Sequence, residues 1–152
     1  MKIIASLAIA VTVLSVSPAY ANDSIDEFGK LVDSSIAICS ISVTSAIVNR
    51  QSEILSAKIM ERQPKIIENS EVKECISKRK SDMTSQYKKT VGSIVNKKQA
   101  VDALKSYFAF ALSVIETVEP QPGERQFQYD ARMSSSHQTL SQMLNMVKIE
   151  AM

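Results

Sequence analysis

The chain has 152 residues, of which 18 are basic and 16 acidic, for a formal net charge of +2. This length suffices for one domain with a core of its own, and the charge balance argues against a dedicated nucleic-acid-binding protein. Three glycines and four prolines are too few turn residues for a β-rich domain, so the composition favours an all-α fold.

The first 21 residues have the pattern of a secretory signal peptide. Lys2 gives a basic start, residues 3–16 form an uncharged apolar run, and Ala19-Tyr20-Ala21 supplies a small-x-small pattern. The apolar run is shorter than the roughly 20 residues that span a membrane. We therefore predict cleavage after Ala21 and export of a single helical domain, residues 22–152, to the periplasm or the medium, with no membrane span.

Two cysteines, Cys39 and Cys75, remain in the predicted mature domain. An isolated pair in an oxidising compartment favours one structural disulfide. The alternative is a redox or metal-binding pair, which neither a C-x-x-C motif nor a neighbouring histidine supports. We therefore expect a Cys39–Cys75 disulfide.

The first predicted helix begins near Ser24, which forms a capping-box pattern with Glu27. A second apolar row on this helix (Ile38, Ile41 and Val48) indicates that it is the central helix of a bundle. The β-branched stretch at 41–48 also permits a strand. The main apolar stripe recurs every three or four residues and consists of Ile25, Phe28, Val32, Ile36, Cys39, Val43 and Ile47.

The predicted disulfide conflicts with a straight first helix. If this helix ran to Arg62 and the next began at Ser70, the two cysteines would be roughly 27 Å apart along the helix axes. A disulfide requires Cα atoms within about 7 Å of each other. We therefore predict a break near Asn49–Ser52 with residues 53–69 folding back, which gives a four-helix or a broken five-helix bundle.

Three further helices are predicted. Pro64 precedes a helix capped by Asn69 or Ser70, a tight connection at 96–97 precedes a helix that ends at 119–120, and a loop at 120–123 precedes a final helix from about residue 124. The apolar stripe of the second helix is Val72, Cys75, Ile76, Met83, Tyr87, Val91 and Ile94. That of the third is Val101, Leu104, Phe108, Ala111, Leu112 and Ile115, and that of the fourth is Tyr129, Met133, Leu140, Leu144 and Val147.

The sequence carries no catalytic signature. There is no G-x-S-x-G motif, and three S-x-x-K matches at Ser70, Ser77 and Ser85 are expected by chance in a chain rich in Ser and Lys. We predict that the protein is not an enzyme.

The single histidine, His137, is the strongest candidate for a cofactor ligand. Imidazole and thioether groups together suit Cu(I) or haem. The candidate thioether ligands are Met83, Met143 and Met146. Met143 and Met146 lie about 60° apart on a helical wheel, so they do not share one site. We predict no cofactor and no metal.

Two surfaces are candidates for binding a partner. The third helix carries a second apolar row (Tyr107, Phe110 and Val114), for which burial in the core is the alternative. The other is the basic edge of the predicted second helix (Lys78, Lys88 and Lys89), for which a solvated face is the alternative. The polar loop that contains Arg125 is a further candidate contact.

By elimination, the sequence predicts an exported, non-catalytic domain that binds a protein partner in the periplasm or outside the cell. Its most concrete form is an inhibitor or immunity-type protein that masks a toxin or hydrolase, and a homodimer is a further option. The alternatives are a periplasmic stress chaperone of the holdase type and a haem- or copper-binding bundle that uses His137 and Met residues.

Overall fold

The computed structural model describes residues 18–65 and 69–152, and its side chains from Ala21 onward. Four helices make up this part of the chain: α1 (Pro18–Ile59), α2 (Ser70–Ile94), α3 (Lys98–Glu116) and α4 (Gln126–Glu150). The described residues contain no strand, so the all-α prediction is confirmed and the strand alternative at 41–48 is wrong. Most of the predicted signal peptide, residues 1–17, lies outside the described residues.

The core forms where the main stripe of α1 meets the other three helices. Ile25, Phe28, Val32 and Ile36 are fully buried, as the three-and-four spacing predicts. The α1 helix packs chiefly on α2, and α3 chiefly on α4. An aromatic cluster joins three of the helices: Phe28 meets the Tyr107 ring edge-on with centroids 5.6 Å apart.

The helix ends agree in part with the sequence predictions. Asn69 precedes α2, but the predicted cap is not formed, because the Asn69 side chain donates to Glu119 and makes no capping hydrogen bond. Arg125 precedes α4, where its N–H donates to the Gln128 side chain at 2.9 Å. The predicted capping box at Ser24 is wrong, because α1 begins at Pro18 and Ser24 lies in its interior. There the Ser24 hydroxyl donates to Oγ1 of the buried Thr90 at 3.2 Å and joins α1 to α2.

The predicted break at Asn49–Ser52 is wrong, and so is the five-helix alternative. The α1 helix runs through 42 residues, yet the Cys39–Cys75 disulfide is formed, with Cα atoms 5.7 Å apart. A straight α1 and the disulfide are compatible because the chain reverses after α1 and not within it. Residues 60–65 turn back along α1. Ten residues between helices can extend about 33 Å, which exceeds the roughly 22 Å offset of the cysteines.

The returning connection is fastened to α1 by one side chain. The Arg62 guanidinium donates to both carboxylate oxygens of Glu53, at 2.6 and 3.1 Å, and the Lys65 N–H donates to the same carboxylate at 2.8 Å. These hydrogen bonds hold the pKa of Glu53 at about 2, with the Arg62 side chain as the largest cause and the Lys65 N–H as the next.

The outer end of α1 projects from the bundle. From residue 44 to the end of the helix the only buried side chain is Ala57. The start of α2 and the α3–α4 connection adjoin α1 between Val43 and Ile54. The last turn of α1 therefore lies at the outer end of the molecule.

Length and composition alone would allow one helix of the described residues to cross a membrane. The segment Ala21–Ile59 contains an 18-residue window with a mean hydropathy of 1.8, of which 28% is buried. A core helix and a segment that adjoins a leader can both have this property. The predicted absence of a membrane span therefore stays a prediction.

Candidate functional site

The apolar row predicted as a partner surface on α3 is mostly core. Tyr107 is 1% exposed and Val114 is 4% exposed, which removes both from any surface that a partner could contact. Burial, followed by the nearby charge of Asp33, raises the pKa of Tyr107. Phe110 is half-buried and packs against the core. The physical reason is that α4, α2 and α1 together cover a wide arc of α3.

The predicted basic contacts are exposed but do not form one patch. Lys78, Lys88 and Lys89 all face solvent on α2, and Lys89 borders a shallow cleft with Asp23 and Glu27. Arg125 is also exposed, at the start of α4. A partner role for these four side chains stays a prediction.

The structure separates the predicted metal-ligand candidates. His137 and Met146 are exposed and Met143 is half-buried, whereas Met83 is buried in the core. The side chains of residues 21–65 and 69–152 include no cluster of three or more His, Cys, Asp or Glu residues that could hold a metal ion.

An open cleft, here called the apical cleft, lies where the bundle ends and α1 continues. Its volume is about 290 Å³, and residues from α1, from the start of α2 and from the α3–α4 connection line it. The lining residues are Val43, Ala46, Ile47, Arg50, Gln51, Ile54, Asn69, Val72, Glu119 and Pro120.

The apical cleft exists because the buried side of α1 is longer than the helices that cover it. Val43 is 3% exposed, Ile47 is 38% exposed and Ile54 is 52% exposed, although all three lie on the same side of α1. The α3 helix has already ended at Glu116 at this level, and α4 begins only at Gln126. Apolar side chains on this side of α1 are buried up to Val43. Beyond it, Ile47 and Ile54 are exposed and line one wall of the cleft.

The polar groups at the rim of the cleft differ in whether they are already paired with another described residue. The Asn69 side-chain amide donates to the Glu119 carboxylate at 3.1 Å and joins the start of α2 to the α3–α4 connection. Arg50 takes part in none of the ion pairs formed among the described side chains. The guanidinium of Arg50 is therefore available to an anionic group that enters the cleft.

An arginine–glutamate ion pair holds the α3–α4 connection at the wall of the cleft. We call this pair and the Arg62–Glu53 pair the two clasps. Arg132 donates to both carboxylate oxygens of Glu124, at 2.8 and 2.9 Å, and to the Thr117 carbonyl at 2.7 Å. The two bonds from Arg132 to this carboxylate, with the Gln121 N–H as the next cause, hold the pKa of Glu124 at about 2. The clasp fixes the connection that carries Pro120.

The second apolar row of α1 is exposed and longer than predicted, so α1 is not a central helix. We call this row the outward seam. It lies on the side of α1 away from the core, and its five large apolar residues are between 40% and 74% exposed. The outward seam consists of Ile38, Ile41, Ser45, Val48, Ser52, Leu55 and Ile59.

Sequence reasoning identified parts of both features without assembling them. It placed Ile47 in the core stripe and Val48 in a second row, but the predicted break removed Leu55 and Ile59 from the same helix. Nothing in the local sequence marks Arg50, since its role depends on Val72 and Pro120, which are distant in the chain.

Comparison with protein-family models, with curated proteins and with solved structures finds no match for this chain.

Proposed function

We propose that the chain is an exported, non-catalytic domain that binds a protein partner through the apical cleft. The supporting observation is the open apolar wall of Val43, Ile47 and Ile54 with the guanidinium of Arg50 at its rim, which forms no ion pair with any described residue. Interfaces between proteins combine such an apolar centre with arginine at the edge.

The open shape of the cleft supports a protein segment as its occupant. Small-molecule and cofactor sites usually enclose about 300–1,000 Å³ and cover most of the ligand. A cleft of about 290 Å³ that is open on one side accommodates one or two side chains. A few anchor residues of this kind supply most of the binding energy in protein interfaces.

The charges at the rim specify the chemistry of the anchor. The carboxylate of Glu119 is already hydrogen-bonded to Asn69, whereas Arg50 has no ionic partner among the described residues. The preferred occupant is a large apolar side chain next to an Asp or Glu, because an ion pair with Arg50 then forms at the edge of an apolar contact.

The walls of the cleft are fixed before a partner arrives. The Cys39–Cys75 disulfide joins α1 to α2, and the clasps at Glu53 and Glu124 hold the two connections. Groups that are already ordered lose less entropy on binding, which favours affinity. A structural disulfide also agrees with an oxidising compartment such as the periplasm.

The concrete form of this proposal is an inhibitor or immunity-type protein that masks a toxin or hydrolase in the periplasm. A rigid bundle with an anchor site acts by covering a surface of its partner. Stoichiometric addition of the domain is then expected to lower the activity of the protein that it captures.

The test compares cleft variants with a matched charge reversal elsewhere. The full chain is expressed in the cells that produce it, recovered from the periplasm and used for quantitative capture of partners. We expect one stoichiometric partner with the wild type and with Lys78→Glu, and its loss with Arg50→Glu and with Ile54→Asp.

Three results would contradict the proposal. Loss of the partner with Lys78→Glu but not with Arg50→Glu would place the contact on the basic face of α2. A broad set of clients enriched at low pH would favour the holdase alternative. A Soret band or stoichiometric copper that His137→Ala removes would favour the cofactor-binding alternative.

A further inference from the structure

The outward seam has the spacing of a coiled-coil contact. Its members follow one another at alternating intervals of three and four residues from Ile38 to Ile59, which is three seven-residue repeats. The seam is about 32 Å long at 1.5 Å per residue. It lies on the opposite side of α1 from the apical cleft.

The flanks of the seam carry almost no charge. Residues 34–49 contain no charged side chain, and Gln51 and Ser56 continue the uncharged flanks, so that Lys58 in the last turn of α1 is the one charged side chain beside the seam. Exposed helix faces of soluble proteins normally carry charged residues. Uncharged flanks remove the like-charge repulsion that two identical helices would otherwise experience.

We propose that the outward seam binds the same seam of a second copy of this chain, with the two helices antiparallel. The proposal goes beyond the function of the apical cleft and does not depend on it. Because the cleft lies on the other side of α1, both clefts of the dimer stay open.

The two serines of the seam determine the orientation. In a parallel pair, Ser45 faces Ser45 and Ser52 faces Ser52, which leaves a void at both levels. In an antiparallel pair, Ser45 faces Val48 of the second copy and Ser52 faces Ile41, so that each small residue meets a large one. The same alignment brings Ile38 against Leu55, and the helix dipoles then oppose each other.

The rest of the molecule leaves room for this contact. The core side of α1, which includes Phe28 and Ile36, faces away from the seam, so the two bundles lie on the outer sides of the helix pair. Glu53, which holds the returning connection, lies about 120° around α1 from the centre of the seam.

The first experiment measures the oligomeric state by sedimentation equilibrium on the full chain, expressed with its own leader and recovered from the periplasm. We expect a dimer. Val48→Asp is expected to raise the dimer Kd at least about a hundredfold, because the substitution enters the interface twice. Ser81→Asp, on the exposed face of α2, is the matched control and is expected to leave the Kd unchanged.

The second experiment tests the orientation with a short thiol-reactive crosslinker. Equal amounts of an Ile41→Cys chain and a Ser52→Cys chain are mixed, and one of them carries a size tag. An antiparallel pair crosslinks the two different chains, because identical positions are then about 16 Å apart along the axis. Crosslinks within each variant alone would indicate a parallel pair and contradict the proposal.

Other occupants of the seam give distinguishable results. A wild-type monomer that sediments with phosphatidylethanolamine–phosphatidylglycerol vesicles, and whose Val48→Asp variant does not, would assign the seam to a membrane surface and overturn the dimer. A wild-type monomer that ignores vesicles would also overturn it. If Arg50→Glu still abolished partner capture in that case, the proposed function would stand without the dimer.

Discussion

The two halves of α1 have similar apolar content and opposite surroundings. In the first half, up to Val43, the side facing α2, α3 and α4 is fully buried, with Phe28 at its centre. In the second half, Ile47 and Ile54 continue the same side, but half of the Ile54 side chain is exposed. The length of the neighbouring helices, and not the sequence of α1, decides where an apolar residue becomes core and where it becomes a surface.

The comparison predicts very different costs for two truncations in the same helix. Phe28→Ala is expected to lower the free energy of unfolding by about 3–5 kcal/mol, because the ring contacts Tyr87, Tyr107 and Phe108 and a cavity would remain. Ile54→Ala is expected to cost less than about 1 kcal/mol, since its side chain is already half exposed. Denaturant unfolding measures both, and equal costs would mean that the second half of α1 is also core.

The disulfide lies at the boundary between the two halves. Replacing Cys39 and Cys75 by Ala together is expected to lower the stability by about 4 kcal/mol, since the bond closes a loop of 36 residues. Unfolding of the oxidised wild type and the double variant measures the difference. A loss below about 1 kcal/mol would mean that packing alone joins α1 to α2.

The Phe110 side chain tests the same distinction on α3. Because it is half-buried against the core, Phe110→Asp is expected to destabilise the fold by about 2–3 kcal/mol through desolvation of a carboxylate. Partner capture by the molecules that remain folded is expected to be unchanged. Full stability together with lost capture would return Phe110 to the partner surface that the sequence predicted.

The smallest expected effect is a pH-dependent release of the connection beside the second half of α1. The folded-state pKa of Glu53 is about 2 and its ordinary value is 4.5, so its bonds to Arg62 and Lys65 stabilise the connection above pH 4.5 and are lost as the pH falls toward 2. The protection factor of the Lys65 amide, which is the intrinsic exchange rate divided by the observed rate, should fall over that range, and in Glu53→Gln it should already be low at neutral pH. Unchanged exchange in Glu53→Gln would show that this carboxylate does not hold the connection.

The sequence predicted the core well where periodicity and packing agree. The stripe from Ile25 to Val43, the four helices and the Cys39–Cys75 disulfide all follow from spacing and composition. The first half of α1 could be predicted because its neighbours bury one side over its whole length.

The predictions that failed concern where elements end and which neighbours cover them. The predicted break at Asn49–Ser52 rests only on the length of helix between the cysteines. It leaves out the distance that the residues between α1 and α2 can span. The spacing on α3 leaves both a surface and a core position open for Tyr107, because one helix does not reveal how wide an arc the others cover. Arg50 and Pro120 line the same apical cleft, and only the assembled bundle shows this.

The most direct test of the account is a photo-crosslinking scan in the cells that produce the protein. A photoreactive phenylalanine analogue replaces one residue at a time: Ile54 in the apical cleft, Val48 in the outward seam or Lys78 on α2. We predict that position 54 crosslinks to a different protein, position 48 to a second copy of this chain, and position 78 to neither. Crosslinks from position 78 with none from positions 48 and 54 would show that the second half of α1 is not the binding surface.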